Sequence, residues 1–305
     1  MIGTIAAHQL RLWRRQRVAG ATIAVLVALT VLAGVLGWAS HRTIVGVYDE
    51  SVKLLAARGL PAPANPFVRK PSLSMLSNMV VYVTLIGALV ALFVGHLSVA
   101  DDEADGIGRL LFSRGIRRSH YTAGKITGAA VLLGAALAAC TFVSAVALTA
   151  VNRSVPPVDD LVRLVGFYVL AWLYLTVFSV VGSVGVLLAG RRSLGLLVAM
   201  GVWLAVTFAV PQFTSGLRPT QSLNPIVDPV STSQTFFRVT RIARPYSIGE
   251  QFKEAAGRIL RTAPDETTLH TFGRIAPILG AALLAAAVMF RAVARHEVSR
   301  GDPDD

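Results

Sequence analysis

Along this chain, long runs of apolar residues alternate with short charged stretches. Six runs stand out, at about 18–39, 78–99, 126–151, 164–189, 193–212 and 275–292. A helix of ~20 apolar residues crosses a ~30 Å hydrocarbon core, so each run predicts a membrane-spanning helix. The sixth is the shortest, is bounded by Arg274 and Arg291 and contains Pro277. It spans if those arginines reach out to the headgroups. The predicted fold is all-α: a polytopic membrane protein with six transmembrane helices, forming a single transmembrane domain over 1–305.

Three shorter patterns add elements between the runs. Ile2, Ile5, Ala6, Leu10 and Trp13 recur at helical spacing, with Arg11, Arg14, Arg15 and Arg17 alongside. This predicts a helix over 1–17 lying in the membrane interface. Asp49 to Arg58 predicts a short helix stopped by Gly59, in a segment 40–77 that continues through Pro61, Pro63, Pro66 and Pro71. Ser247 and Glu250 form a capping-box pattern. Ile248, Phe252, Ala255, Ala256, Ile259 and Leu260 then fall on one helical face, expected to pack on the membrane face or on the outer ends of the spans. No internal repeat is visible.

Composition agrees with this picture. Only 15% of residues are charged, against about 25% for a soluble domain, and mean hydropathy is +0.61. The net charge of +12 would suggest nucleic acid in a soluble protein. Here the arginines flank membrane helices and face lipid headgroups, so no nucleic-acid partner is expected and membrane lipids are. Lys and Arg are denser in 1–17, 100–125, 190–192 and 291–305 than in 40–77, 152–163 and 213–274. That bias places both termini in the cytoplasm and the latter segments outside. The single cysteine, Cys140, lies in an apolar run and reads as a packing residue. The run after Arg17 is longer than a signal-peptide core and reads as a retained helix.

Catalytic chemistry is hard to place on this chain. No Asp, Glu, Lys or Arg lies in the middle of a predicted span, where ion-coupled carriers commonly need an ionisable group. His96, at the inner end of the second span, reads as an interfacial histidine. The other histidines (His8, His41, His120, His270, His296) are scattered, and no metal-binding spacing occurs. There is no G-x-S-x-G nucleophile and no phosphate-binding loop; Gly124-Lys125-Ile126 lacks its Ser/Thr and upstream glycine. No catalytic residue and no bound metal or cofactor is expected in this chain.

The segment between the second and third spans is different. Asp101, Asp102, Glu103 and Asp105 open it, Ile107, Leu110 and Leu111 give it an apolar face, and Arg114, Arg117 and Arg118 close it. Acids at the start and bases at the end suit the dipole of a short helix lying across the cytoplasmic face, available to another protein. This segment resembles the permease subunits of type-2 ABC exporters, the ABC-2 membrane family. Glu103 stands at that family's acidic position, Leu110 and Leu111 at its leucines, Ser113 at its serine, Arg117-Arg118 at its basic pair, and Gly124-Lys125 at the opening of the next helix. Asp105-Gly106 replaces the usual Gly-Thr, and Arg114 stands where proline is usual. Leu223-Asn224-Pro225 adds a fainter resemblance to permeases of the nitrous-oxide-reductase maturation type.

The resemblance implies a permease subunit of an ATP-driven exporter in a bacterial inner membrane. It implies a second permease copy, as a homodimer or heterodimer, and an ABC ATPase subunit in two copies that carries ATP and Mg. Asp101, Asp102, Glu103, Asp105, Ile107, Leu110, Leu111 and Arg114 would form the ATPase-coupling helix. Segment 213–274 would form an outer gate, with Pro211, Asn224 and Pro225 turning the chain. The near-absence of charge in the spans points to lipids, amphipathic drugs, peptides or polymers as cargo. An extracytoplasmic accessory protein also fits, as does the alternative reading of a membrane anchor or sensor subunit. A lipid-modifying enzyme fits less well, for want of a catalytic set.

Overall fold

A computed structural model describes residues 1–61, 72–104, 116–152, 155–211, 242, 244–262 and 268–295. Its elements are helices α1 (Ile2–Arg15), α2 (Val18–Ala57), α3 (Ser77–Tyr82), α4 (Ala88–Ala104), α5 (Arg118–Asn152), α6 (Val158–Ala189), α7 (Arg192–Leu204), α8 (Ile248–Ile259) and α9 (Thr268–Arg295). Among the described residues, six helical stretches are long and apolar enough to cross a membrane. They are α2; α3 and α4 joined by a π turn at Val83–Gly87; α5; α6; α7 with a π turn at Ala205–Ala209; and α9. The protein is an all-α integral membrane protein, as its apolar runs predict.

The core lies between the second and fourth spans. Gly95 of α4 and Gly182 of α6 face the opposite backbone. A Cβ on Gly95 would overlap the carbonyl of Ser179, and one on Gly182 would overlap that of Leu92. Helices in lipid gain little from apolar burial against one another, so close backbone approach through small residues supplies the packing. Around this crossing Leu92, Leu133, Leu137, Cys140, Leu175 and Phe178 are fully or almost fully buried. Gly190, at φ +65, ends α6 and lets α7 turn straight back along it.

Several elements differ from their sequence expectation. The helix of the first span does not stop near 39: α2 runs 40 residues to Ala57, about 60 Å and so longer than one membrane crossing, because residues 40–57 contain no proline. Asp49 to Ala57 is therefore its continuation, and Gly59 follows at φ +67. The helix of the sixth span runs 28 residues through Pro277, so Arg291 lies inside the helix. α1 buries Ala6, Gln9 and Trp13, leaving Arg11, Arg14 and Arg15 exposed. Its buried face meets the start of α5, where the missing side chains of Gly124 and Gly128 make room for Ile5 and Gln9.

α8 forms where its pattern predicts, but lies deeper. Its C-terminal Arg261 pairs with Asp159 and Asp160 at the start of α6. Phe252, one turn into α8, stacks on Tyr174 with ring centroids 4.5 Å apart and also meets Phe167. Asp160 and Tyr174 are ~20 Å apart along α6 at 1.5 Å per residue. α8 thus runs down beside α6 to about the middle of that 32-residue helix, not across the span ends. The aromatic stack, not the amphipathic pattern alone, sets this depth. Phe252, Ala255, Ala256 and Leu260 are fully buried on the expected face.

Only half of the capping box forms. Ser247 Oγ accepts from the Glu250 N–H at 3.5 Å, while the Glu250 carboxylate turns to Lys253 at 3.1 Å and Ser247 N donates to Arg244 O. Ser247→Ala should weaken this end of α8 by about 1 kcal/mol. That corresponds to roughly fivefold faster hydrogen exchange at Gly249 and Glu250, with the spans unchanged.

Candidate functional site

The Asp101 end of the bundle holds a buried polar junction, built from the last turn of α4. Asp101, Asp102 and Glu103 are that last turn and do not open a separate helix, a correction to the sequence reading. The apolar run of α4 continues into them without a break. Acids there meet the negative end of the α4 dipole and need cations from elsewhere.

Lys125, in the second turn of α5, supplies one. Its Nζ lies 2.7 Å from Asp102 Oδ2 and donates at 2.6 Å to the carbonyl of Ser98. The two side chains are only 7% and 9% exposed. Tyr121, one turn before Lys125, donates its hydroxyl to the same Asp102 oxygen at 2.8 Å, and its ring lies under the ammonium at 5.5 Å. Burying a charge pair costs desolvation that only good geometry and further hydrogen bonds offset, and this pair has both.

The junction reaches into the helix crossing and out to the next hairpin. Ser98 Oγ and Ser183 Oγ both donate to the carbonyl of Gly95, at 2.6 and 2.9 Å, and lie 3.1 Å apart. Asp101 Oδ1 takes Arg192 Nη2 at 2.6 Å, from the start of α7, and Asp101 Oδ2 takes Gln16 Nε2 at 3.4 Å, from the α1–α2 joint. Arg118 donates to the Ala294 carbonyl of α9. One cluster therefore fastens the last turn of α4 to α5, α6, α7 and the joint before α2.

The predicted coupling residues divide accordingly. Asp101 and Asp102 are brought together here, turned into the protein and each paired. Glu103 lies in the same helical turn. Asp105, Ile107, Leu110, Leu111 and Arg114 lie outside the described residues, as do Asn224 and Pro225. His96 is buried in α4, its backbone against Gly182. Sequence reasoning missed Lys125 as a partner of Asp102. The available signal was a lone lysine one residue ahead of an apolar run, a position that helix burial reaches.

Pro211 is described, and its effect is visible. Proline lacks an N–H and crowds the carbonyl four residues earlier, here that of Thr207. The helix widens at this place into the π turn Ala205–Ala209, and Val210 N donates to Ala205 O. α8 carries Glu250, Lys253, Glu254 and Arg258 along α6 between Tyr174 and Asp160, with Glu254 paired to Arg244 and Glu250 to Lys253. Charged groups beside a membrane-spanning helix persist where they border protein or water, not lipid. Among the described residues, no three of His, Cys, Asp and Glu come together as a metal site.

Six spans, an amphipathic helix packed beside them and a charged helix end fastened across four helices fit a membrane transport subunit. Residues 4–296 match the family described as "ABC-2 family transporter protein". The chain belongs to this family and is a membrane permease subunit of an ABC transporter, not itself catalytic, which associates with an ABC ATPase subunit. No individual curated protein matches it.

Proposed function

We propose that this permease is driven by ATP hydrolysis on its partner ATPase, and that segment 101–113 carries the movement into the spans. The observation that supports this most directly is the Asp102–Lys125 junction. A loop that receives force must be rooted rigidly, or the force is lost in local bending. The 105–115 segment leaves from Asp102 and returns toward Tyr121 and Lys125, and these three residues bond to one another. Displacement of this segment pulls on α4 and α5 together and, through Arg192, on α7.

On this reading the Asp101 end and both termini are cytoplasmic. Two permeases stand side by side, and two ATPase subunits bind ATP and Mg beneath them. Nucleotide then shifts the pair between two arrangements. α8 and the Pro211 turn belong to the outer gate, whose polar face borders the path and not lipid. The cargo is exported, and the scarcity of charge in the spans favours lipids, amphipathic drugs, peptides or polymers over a strongly hydrated ion.

Leu111→Asp and Glu103→Lys test the docking role without touching the buried pair. Each should reduce the ATPase recovered with the purified permease about tenfold or more, while the permease keeps its melting temperature. Full recovery of a stimulated ATPase with both variants would sink the coupling assignment.

A further inference from the structure

The middle of the bundle contains polar atoms that the family reading leaves unused. Tyr174 is fully buried halfway along α6, and among the described residues its hydroxyl has no hydrogen-bond partner. Thr207 Oγ1, on a residue 5% exposed, and Trp203 Nε1 are in the same condition on the fifth span. Burying such a group without a partner costs about 1–3 kcal/mol, so each requires an explanation.

The geometry supplies an acceptor and a space. Val210 donates to Ala205 O, and Pro211 has no N–H, so among the described residues the π turn leaves the carbonyl of Val206 without a helical donor. Gly249, in the first turn of α8, faces this point. A Cβ there would lie 3.6 Å from Val206 O and 4.0 Å from the Tyr174 hydroxyl. The missing side chain keeps a small space next to both. Around it stand the rings of Phe178 and Phe252, in contact with Tyr174.

We propose that the Tyr174 hydroxyl and the Val206 carbonyl, beside the space left by Gly249, form a binding site for one small uncharged hydroxyl group. The site offers one pure acceptor, the carbonyl, and one hydroxyl able to donate or accept. That set suits a group that both donates and accepts. A carboxylate or ammonium is unsuited, because no opposite charge is among these groups. Water and the hydroxyl of a membrane-borne molecule share this chemistry. In either case a polar occupant sits at the joint between α8 and the spans, where the two must part if that end of the bundle opens.

A double-mutant cycle on the full chain tests this without any ATPase. Tyr174→Phe removes one of the two polar partners, and Gly249→Ala places a methyl where the occupant would sit. If an occupant bridges the hydroxyl and the carbonyl, each single variant lowers the unfolding midpoint by a few degrees. The double variant then loses less than the sum, since the second change removes a bond already lost. If the site is dry, Tyr174→Phe deletes an unpaired polar atom and Gly249→Ala fills empty space at ordinary contact distance, so the midpoint stays or rises and the effects add. The cycle is measured twice, in native membranes and after delipidation in a zwitterionic detergent that carries no hydroxyl. Coupling in both identifies water. Coupling in membranes alone identifies the hydroxyl of a membrane molecule. Additive effects in both, or stabilisation by both single variants, overturn the proposal.

Discussion

Asp102→Asn and Lys125→Met should each destabilise the protein by about 3–5 kcal/mol, because each leaves the other charge buried without its partner. Both side chains are less than one-tenth exposed. The surviving group cannot turn to water without unpacking the ends of α4 and α5. The double variant should recover much of this loss, since an amide and a thioether of similar size leave no uncompensated charge. That non-additivity is the signature of a direct pair. Thermal unfolding of the four proteins measures it. Arg192→Ala should cost far less, because the Asp101–Arg192 pair is half exposed on the arginine side. Equal losses for Arg192→Ala and Lys125→Met would show that the junction does not concentrate on Asp102.

If segment 101–113 is the coupling element as proposed, the junction bears on function because stability and force transmission run through the same bonds. The double variant keeps the fold while replacing a charge-assisted clamp with apolar contact. It should hold the ATPase near normally but transmit less of its stroke, giving ATP turnover with little transport. That combination is distinct from the loss of ATPase binding expected for Leu111→Asp. Root and docking face are thus separable in one preparation.

How much of this was legible in sequence depended on the range of each interaction. The spans were readable because ~20 contiguous apolar residues report on their own solvent. The helix at Ile248–Ile259 was readable for the same local reason: a cap and a 3.6-residue period lie within a dozen residues. Its depth was not, because one amphipathic pattern fits any apolar surface, and only the Phe252–Tyr174 stack selects this one. The Asp102–Lys125 pair escaped because the sequence shows Lys125 beside a span, whereas the fold buries it in one. Pro211 was noted as a turn, and its consequence is a π turn that opens a carbonyl. The end of α2 was missed because residues 40–57 are polar enough to resemble a loop yet contain no proline, and a single glycine, Gly46, does not stop the helix.

Gly95 and Gly182 carry the other large effect, and its sign is the informative part. Alanine in a helix is ordinarily more favourable than glycine by up to about 1 kcal/mol. Gly166 and Gly201 have open space where a Cβ would stand, so alanine there should be neutral or stabilising. At Gly95 and Gly182 the same substitution should invert in sign, because the new Cβ meets backbone carbonyls of the facing helix. Backbone cannot rotate aside as a side chain does, so α4 and α6 must separate. The cost should fall at or beyond the upper end of the ~1–3 kcal/mol typical of overpacking. Separation also pulls Ser183 from the Gly95 carbonyl and from Ser98, loosening the Lys125 anchor on the Ser98 carbonyl. Gly95→Ala should therefore erode the Asp102–Lys125 coupling energy measured in the first cycle, although it lies two turns away. Repeating that cycle in the Gly95→Ala background reads this directly. An unchanged coupling energy would mean that the crossing and the junction are independent, and that a stroke entering at Asp102 does not reach the core through α4.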